Sequence, residues 1–170
     1  MHVKIVSMTK TTRTLIKFFR PESYEVALNV YPENATFKGE VRITGLRTGP
    51  PSRRLTFNQH NLKISVPTIT RHNRQTEQSM TIIRINHHQS FSEVRLHTGE
   101  QLYNGNYNVT MNFRGKIGKY LKDNYPVFSA LKNKQKFNSV GIENYLTGDL
   151  FPCIIDPGSK AAFNLTITAA

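Results

Sequence analysis

The sequence has one cysteine, no tryptophan and no long run of apolar residues. A single cysteine excludes a framework of internal disulfides. No apolar segment approaches the ~18 residues of a membrane-spanning helix. The N-terminus, MHVKIVSMTKTTRTLIKFF, lacks the unbroken apolar core and small-residue cleavage site of a secretory signal. We therefore expect a cytoplasmic protein that does not contact a membrane.

Acidic residues are scarce, with 11 Asp and Glu against 23 Lys and Arg, and the formal net charge is +12. Such a balance suggests an anionic partner, either nucleic acid or an acidic protein. The basic residues are spread along the chain, and the densest short cluster is Lys132, Lys134 and Lys136. Zinc-finger spacing, a basic zipper and the aromatic motif of RNA-recognition domains are all missing. These absences disfavour nucleic acid, although a basic binding domain stays open as an alternative function.

Motifs of catalytic machinery are also missing from the sequence. None of the six histidines is followed by glutamate, which excludes an H-E-x-x-H zinc helix, and no G-x-S-x-G elbow or phosphate-binding glycine loop occurs. His87 and His88 are adjacent, so in a strand they point to opposite faces and cannot share a metal. Cys153 has no cysteine partner, and we expect it to be a buried packing residue beside Phe151 and Phe163. The chain alone is therefore predicted to bind no cofactor and to be inactive.

The sequence does contain many segments of alternating apolar and polar residues. The clearest is NYNVTMNF, where Tyr107, Val109, Met111 and Phe113 alternate with polar residues. A period of two places one face of a strand in a core and the other in water. Similar segments are SYEVALNVY, TFKGEVRIT, LTF, LKISV, MTIIRI, SEVRL and AFNLTIT. Turn-forming residues separate them, so we predict an antiparallel all-β fold, a sandwich or a barrel.

Four local expectations follow from the same patterns. Phe163, Leu165 and Ile167 should face the core, and Gly39 should mark a bulge in its strand. The polar segment 67–79 is interpreted as a long hairpin loop. Residues 114–150 are irregular, and the segment GKYLKDNYPVFSALKNKQKF is expected to include a short helical turn.

The segment FPCIIDPGSKAAFNLTIT resembles a motif of the zinc aminopeptidases of the aminopeptidase N and leukotriene hydrolase type. In that family the N-terminal domain ends with F-P-C-x-D-E-P-x-x-K-A-x-F, followed by a strand. The matching positions lie in register without a gap: Phe151, Pro152, Cys153, Pro157, Lys160, Ala161 and Phe163.

Four further segments resemble the family in the same order along the chain. They are RPESYEVALNV, ATFKGEVRI, LTFNQHNLKI and LYNGNYNVTMNFRGKI. The resemblance covers roughly residues 18–168. It divides the chain into an N-terminal extension, 1–17, and an N-terminal β domain, 18–170. It implies a mostly antiparallel, β-sandwich-like domain with a curved large sheet.

The implied parent protein removes N-terminal residues from peptides with a zinc-bound water. Its zinc belongs to a catalytic domain, and the H-E-x-x-H and G-x-M-E-N motifs of that domain are absent from this sequence. The chain is thus expected to be either a fragment of such an enzyme or a stand-alone relative, and its end after a strand favours a fragment. Its expected partners are the catalytic domain and the N-terminus of the peptide substrate. Two departures from the motif are Ile155, where the family has an acid, and Gly141, where it has Gln.

Glu143 is the one substrate-binding residue that the resemblance implies. In the family, a Glu or Gln eight residues before the Phe of F-P-C accepts hydrogen bonds from the free α-amine of the substrate. A carboxylate suits this role because it forms charge-assisted hydrogen bonds with an ammonium group. The simpler interpretation is that Glu143 is an exposed acid in a loop.

Overall fold

The computed structural model describes residues 14–117, 127–132, 135–140 and 147–169. A 3₁₀ turn at Leu15–Lys17 precedes the first strand. Eleven strands and one α-helix of a single turn follow within the described residues, in the order β1 (Phe19–Tyr31), β2 (Thr36–Arg47), β3 (Ser52–Asn58), β4 (Lys63–His72), β5 (Glu77–Met80), β6 (Ile82–His88), β7 (Glu93–Leu102), β8 (Gly105–Lys116), β9 (Val127–Lys132), β10 (Gln135–Val140), α1 (Thr147–Leu150) and β11 (Ala162–Ala169). A second 3₁₀ turn, Gln89–Phe91, lies between β6 and β7. No helix among these is long and apolar enough to cross a membrane.

The strands form one large sheet and two small ones. The large sheet has six strands in the order β11-β1-β2-β8-β4-β5, the second has the order β3-β7-β6, and β9 pairs with β10. Every pair in these sheets is antiparallel except β1 with β11, which is parallel. The architecture is therefore all-β and mostly antiparallel, as the sequence predicted.

One hydrophobic core is shared by the six-stranded and three-stranded sheets. Phe19 of β1 meets Phe57 of β3 edge to face, with ring centroids 5.5 Å apart. The alternating residues of β8 are fully buried in this core, as are the inward residues of β1, β2 and β7. Period-2 alternation thus identified the inward face correctly on these strands, and the sandwich-like packing of two sheets is confirmed.

The prediction of a long loop at 67–79 is wrong. β4 continues to His72 and β5 begins at Glu77, so only a four-residue turn separates them, closed by a hydrogen bond from Asn73 N to Thr76 O (2.9 Å). Thr68, Ile69 and Thr70 are β-branched and favour extended backbone, and Ile69 is buried. The polar residues here occupy the solvent face of a hairpin.

The burial predicted for the apolar face of β11 is also wrong. Phe163, Leu165 and Ile167 are 59%, 36% and 48% exposed. They pair with Tyr24, Val26 and Leu28 of β1 and so share the face that β1 buries. However, β11 is the edge strand of the sheet, and nothing in the described part of the chain covers that face at the edge.

One smaller expectation also fails, and another lies mostly outside the described residues. Gly39 marks no bulge, because β1 and β2 stay in register there and the shift lies between Pro21 and Ser23. Instead a Cβ on Gly39 would lie 2.6 Å from the Phe113 ring and would also meet the Ala27 carbonyl, so only glycine fits. In the segment expected to include a helical turn, 118–137, residues 127–132 and 135–137 belong to the strands β9 and β10, and the other residues lie outside the described part of the chain, so the helical turn stays a prediction. The only α-helix described is α1, further along the chain.

Candidate substrate-binding region around the FPC segment

The segment Phe151–Ile154, called the FPC segment below, is buried and fixed to the end of β3. Asn58 and Cys153 form a two-way antiparallel bridge, with Asn58 N donating to Cys153 O (2.7 Å) and Cys153 N donating to Asn58 O (3.0 Å). The Asn58 side chain accepts a further hydrogen bond from Ile155 N (2.8 Å). Four consecutive buried residues in an irregular segment need such backbone partners, because unpaired buried amides are costly.

Tyr24 connects this segment to the large sheet. Its hydroxyl accepts a hydrogen bond from Ile154 N (3.0 Å), and its ring stacks on Phe163, with centroids 4.7 Å apart. Burial raises the pKa of Tyr24, with a further contribution from the nearby Cys153, and the hydroxyl stays neutral. Tyr24 therefore contacts both the FPC segment and the strand that follows it.

Cys153 is 3% exposed, as the sequence predicted. Burial raises the pKa of its thiol, which disfavours the thiolate needed of a nucleophile or metal ligand. Its neighbour Phe151 is buried, whereas Phe163 lies on the exposed edge strand. Cys153 is therefore a packing residue of the FPC segment.

α1 is attached to the turn between β3 and β4 by His60. The backbone N–H of His60 donates to Gly148 O (2.8 Å), and its Nδ1 lies 2.5 Å from Oδ1 of Asp149. Asp149 is buried, whereas about half of the His60 side chain is exposed. Burial raises the pKa of Asp149, and the hydrogen bond and charge of His60 oppose that rise. This pair fixes the start of the FPC segment from its N-terminal side.

A family model of the Peptidase M1 N-terminal domain matches residues 20–170. The chain belongs to this family. The resemblance first carried by the FPC segment is thereby confirmed, and the geometry gives the segment a structural role in the M1 N-terminal domain. A comparison with curated protein sequences gave no match.

The M1 N-terminal domain has no metal centre in the part that the structure describes. There, no group of three or more His, Cys, Asp or Glu side chains could hold an ion. His87 Nε2 accepts a hydrogen bond from Ile64 N (3.1 Å), so this histidine is engaged with the backbone. The described residues do not provide the ligand set that zinc needs, and no zinc chemistry is assigned to them.

Glu143, the predicted substrate-binding residue, lies outside the described residues, as does Lys134. Glu143 precedes α1 by four residues. On the C-terminal side of Glu143, the structure shows α1 attached to His60 and Cys153 attached to Asn58. The proposed role of Glu143 stays a prediction.

A second feature is a groove rich in cationic side chains, which no motif in the sequence indicated. Lys63 of β4 and Arg114 of β8 are direct cross-strand partners, and Lys116 follows two residues later on the same face of β8. Together with His60 and His87 they line a cavity of about 800 Å³. Lys63 and Arg114 are 51 residues apart in sequence, so only knowledge of the strand register could have brought them together.

Proposed function

We propose that this chain is the non-catalytic N-terminal domain of a zinc aminopeptidase that removes N-terminal residues from peptides. In this proposal the domain packs on the catalytic domain and helps to bind the α-amine of the substrate. The zinc and the hydrolytic step belong to the catalytic domain, so residues 1–170 alone are expected to be inactive. Membership of the Peptidase M1 N-terminal domain family supports the proposal.

The exposed apolar row of β11 is the observation that favours a docking role. Phe163, Leu165 and Ile167 lie on one face of an edge strand and continue the core face of β1. Three large apolar side chains in a row, at a sheet edge that no described residue covers, are typical of an interaction site. We assign this row to contact with the catalytic domain.

Glu143 is proposed to accept hydrogen bonds from the substrate α-amine. Holding the terminal ammonium would fix the register of the peptide, so that its first peptide bond lies at the metal. In the parent enzyme, Glu143→Ala should weaken turnover of free-amine peptides by about 1.5–3 kcal/mol, the range for hydrogen bonds to charged groups. Substrates blocked at the amine should be insensitive to the change. Unchanged turnover of free-amine peptides would exclude the role.

The reading frame that encodes this chain provides the direct test of the proposal. Downstream sequence with G-x-M-E-N and H-E-x-x-H motifs is expected, and a frame that ends without them would contradict the assignment. When the two domains of the parent are produced as separate chains, Leu165→Asp at the centre of the β11 row should weaken their association. Thr166→Asp, on the opposite face of the same strand, is the matched control.

A cytoplasmic location is part of the proposal. It is supported by the single cysteine, which is buried as a free thiol in the structure, since disulfides are rare in the reducing cytosol.

A further inference from the structure

Arg47, the last residue of β2, is a buried cation, only 2% exposed. Burial lowers the pKa of its guanidinium, but a guanidinium remains protonated in proteins. The ion pairs found among the described residues are Arg42–Glu25, His60–Asp149, His72–Glu77 and Arg95–Glu93. Arg47 belongs to none of them. Because a buried charge without a counter-charge is costly, a cation at this position points to an anion that binds there.

The hydrogen bonds of Arg47 leave part of its guanidinium unused. Its Nη2 donates to Pro50 O (2.7 Å) in the turn after β2, and its Nη1 donates weakly to Asn104 Oδ1 (3.5 Å). Its Nε is buried and has no acceptor among the described groups. Both acceptors are neutral oxygens, so they hold the guanidinium in position without compensating its charge.

Arg47 also lines a cavity of about 280 Å³ between the segment that leads into β1 and the connection from β2 to β3. The walls of the cavity are largely apolar, and they include Phe18, Phe19 and Leu55. The charged residues among the described lining residues are Arg47 and Arg54, and neither Asp nor Glu is found there. Phe18 is 49% exposed, so the cavity extends from a ring at the surface to a buried cation.

The cation and the walls together define the class of ligand that the cavity suits. A carboxylate matches the planar fork of a guanidinium, because its two oxygens accept parallel hydrogen bonds. Small-molecule sites are typically apolar cavities of about 300–1,000 Å³ with a few polar groups that fix orientation, and this cavity lies near the lower end of that range. Inorganic phosphate would supply the charge but would leave the apolar walls unfilled.

We propose that this cavity binds a small carboxylate with an apolar tail, its carboxylate on Arg47 and its tail between Phe18 and Leu55. The cavity lies within this domain, so the proposal does not depend on the aminopeptidase assignment. A free organic acid and the C-terminal residue of a peptide both present this chemistry, and binding experiments separate the two sources.

Thermal unfolding of the chain 1–170 with phenylacetate tests the proposal. So small a ligand is expected to bind with a Kd of about 1 mM. At about 10 mM it should raise the midpoint of unfolding by about 3–6 °C, because it binds only the folded state. Phenylacetamide lacks the charge and acetate lacks the ring, so each should give less than half of that shift at equal ionic strength. No shift with phenylacetate, or an equal shift with acetate or phenylacetamide, would overturn the proposal.

The residues are tested with Arg47→Gln, which keeps a donor for Pro50 O but removes the charge. This variant should lose the phenylacetate shift, whereas Arg114→Gln should keep it, because Arg114 is exposed and lies outside the cavity. A shift that persists in Arg47→Gln would contradict the proposal. Phe18→Ala is a second variant, expected to fold because Phe18 is half-exposed, and it should weaken phenylacetate binding about threefold to tenfold. An unchanged Kd in Phe18→Ala would contradict the placement of the tail.

Peptide probes identify the source of the carboxylate. A shift with the peptide Gly-Gly-Phe as large as that with phenylacetate would assign the cavity to peptide C-termini, and a shift with phenylacetate alone would assign it to free organic acids. The C-terminal amide of the same peptide should give no shift in either case. Equal shifts with the peptide and its amide would show that no carboxylate is recognised, and would leave Arg47 with only its hydrogen bond to Pro50 O.

Discussion

The ring of Tyr24 stacks on the ring of Phe163, with centroids 4.7 Å apart and planes 4° from parallel. The two residues are register partners in the parallel pair of β1 and β11. Tyr24 is 2% exposed, whereas Phe163 is 59% exposed. A buried ring thus extends the core to a strand that the rest of the described chain leaves uncovered.

Phe163→Ala should destabilise the domain by about 0.5–1.5 kcal/mol, because it removes an aromatic stack. Ile167→Ala on the same strand is the control, since Ile167 is 48% exposed and has no aromatic ring to stack on β1. Urea unfolding of both variants measures the difference. Equal losses would show that the stack adds nothing to stability.

Tyr24→Phe should cost about 1–3 kcal/mol, because it keeps the ring but leaves the buried Ile154 N–H without an acceptor. Tyr103→Phe is the matched control, since the Tyr103 hydroxyl lies on the surface and donates to Gln101 Oε1 (3.2 Å). The free energy of unfolding should change by less than about 0.5 kcal/mol in the control. A loss that is no larger for Tyr24→Phe would contradict the role of its hydroxyl.

Asp149 should make stability depend on pH. Burial raises the pKa of this carboxyl in the folded state above its ordinary value. Its contribution to stability is therefore present below the unfolded pKa and is lost as pH rises through the folded pKa. We expect the wild type to lose stability relative to Asp149→Asn from about pH 4 upward, the range in which an unfolded Asp ionises. Urea unfolding across this range measures the difference, and a difference that is constant with pH would refute the prediction.

Cys153 should react slowly with a thiol reagent in the folded domain and rapidly in urea. It is 3% exposed, and burial raises the pKa of its thiol, so both access and thiolate are limited. Cys153→Ala should cost about 1 kcal/mol, a typical figure for a small truncation in a core. Fast labelling under native conditions would show that the FPC segment detaches from Asn58.

The strands and the family were predictable from the sequence because both depend on local patterns. Alternation such as Tyr107, Val109, Met111 and Phe113 determines which face of a strand is apolar, whatever the strand pairs with. The motif from Phe151 to Phe163 is likewise read along the chain. Local composition is misleading where polar residues face solvent. For that reason the polar segment 67–79 predicts a loop, whereas the structure has the β4–β5 hairpin there.

Pairing and coverage were decided only by the tertiary structure. Three contacts join residues far apart in sequence. Lys63 lies opposite Arg114, His60 forms a hydrogen bond with Asp149, and the Phe113 ring fills the space that a side chain at Gly39 would need. β11 shows the same limit. The alternating pattern correctly indicates which face of this strand is apolar, but not whether that face is buried. Whether that face is buried depends on what packs over the edge of the sheet, and no alternation within a strand contains that information.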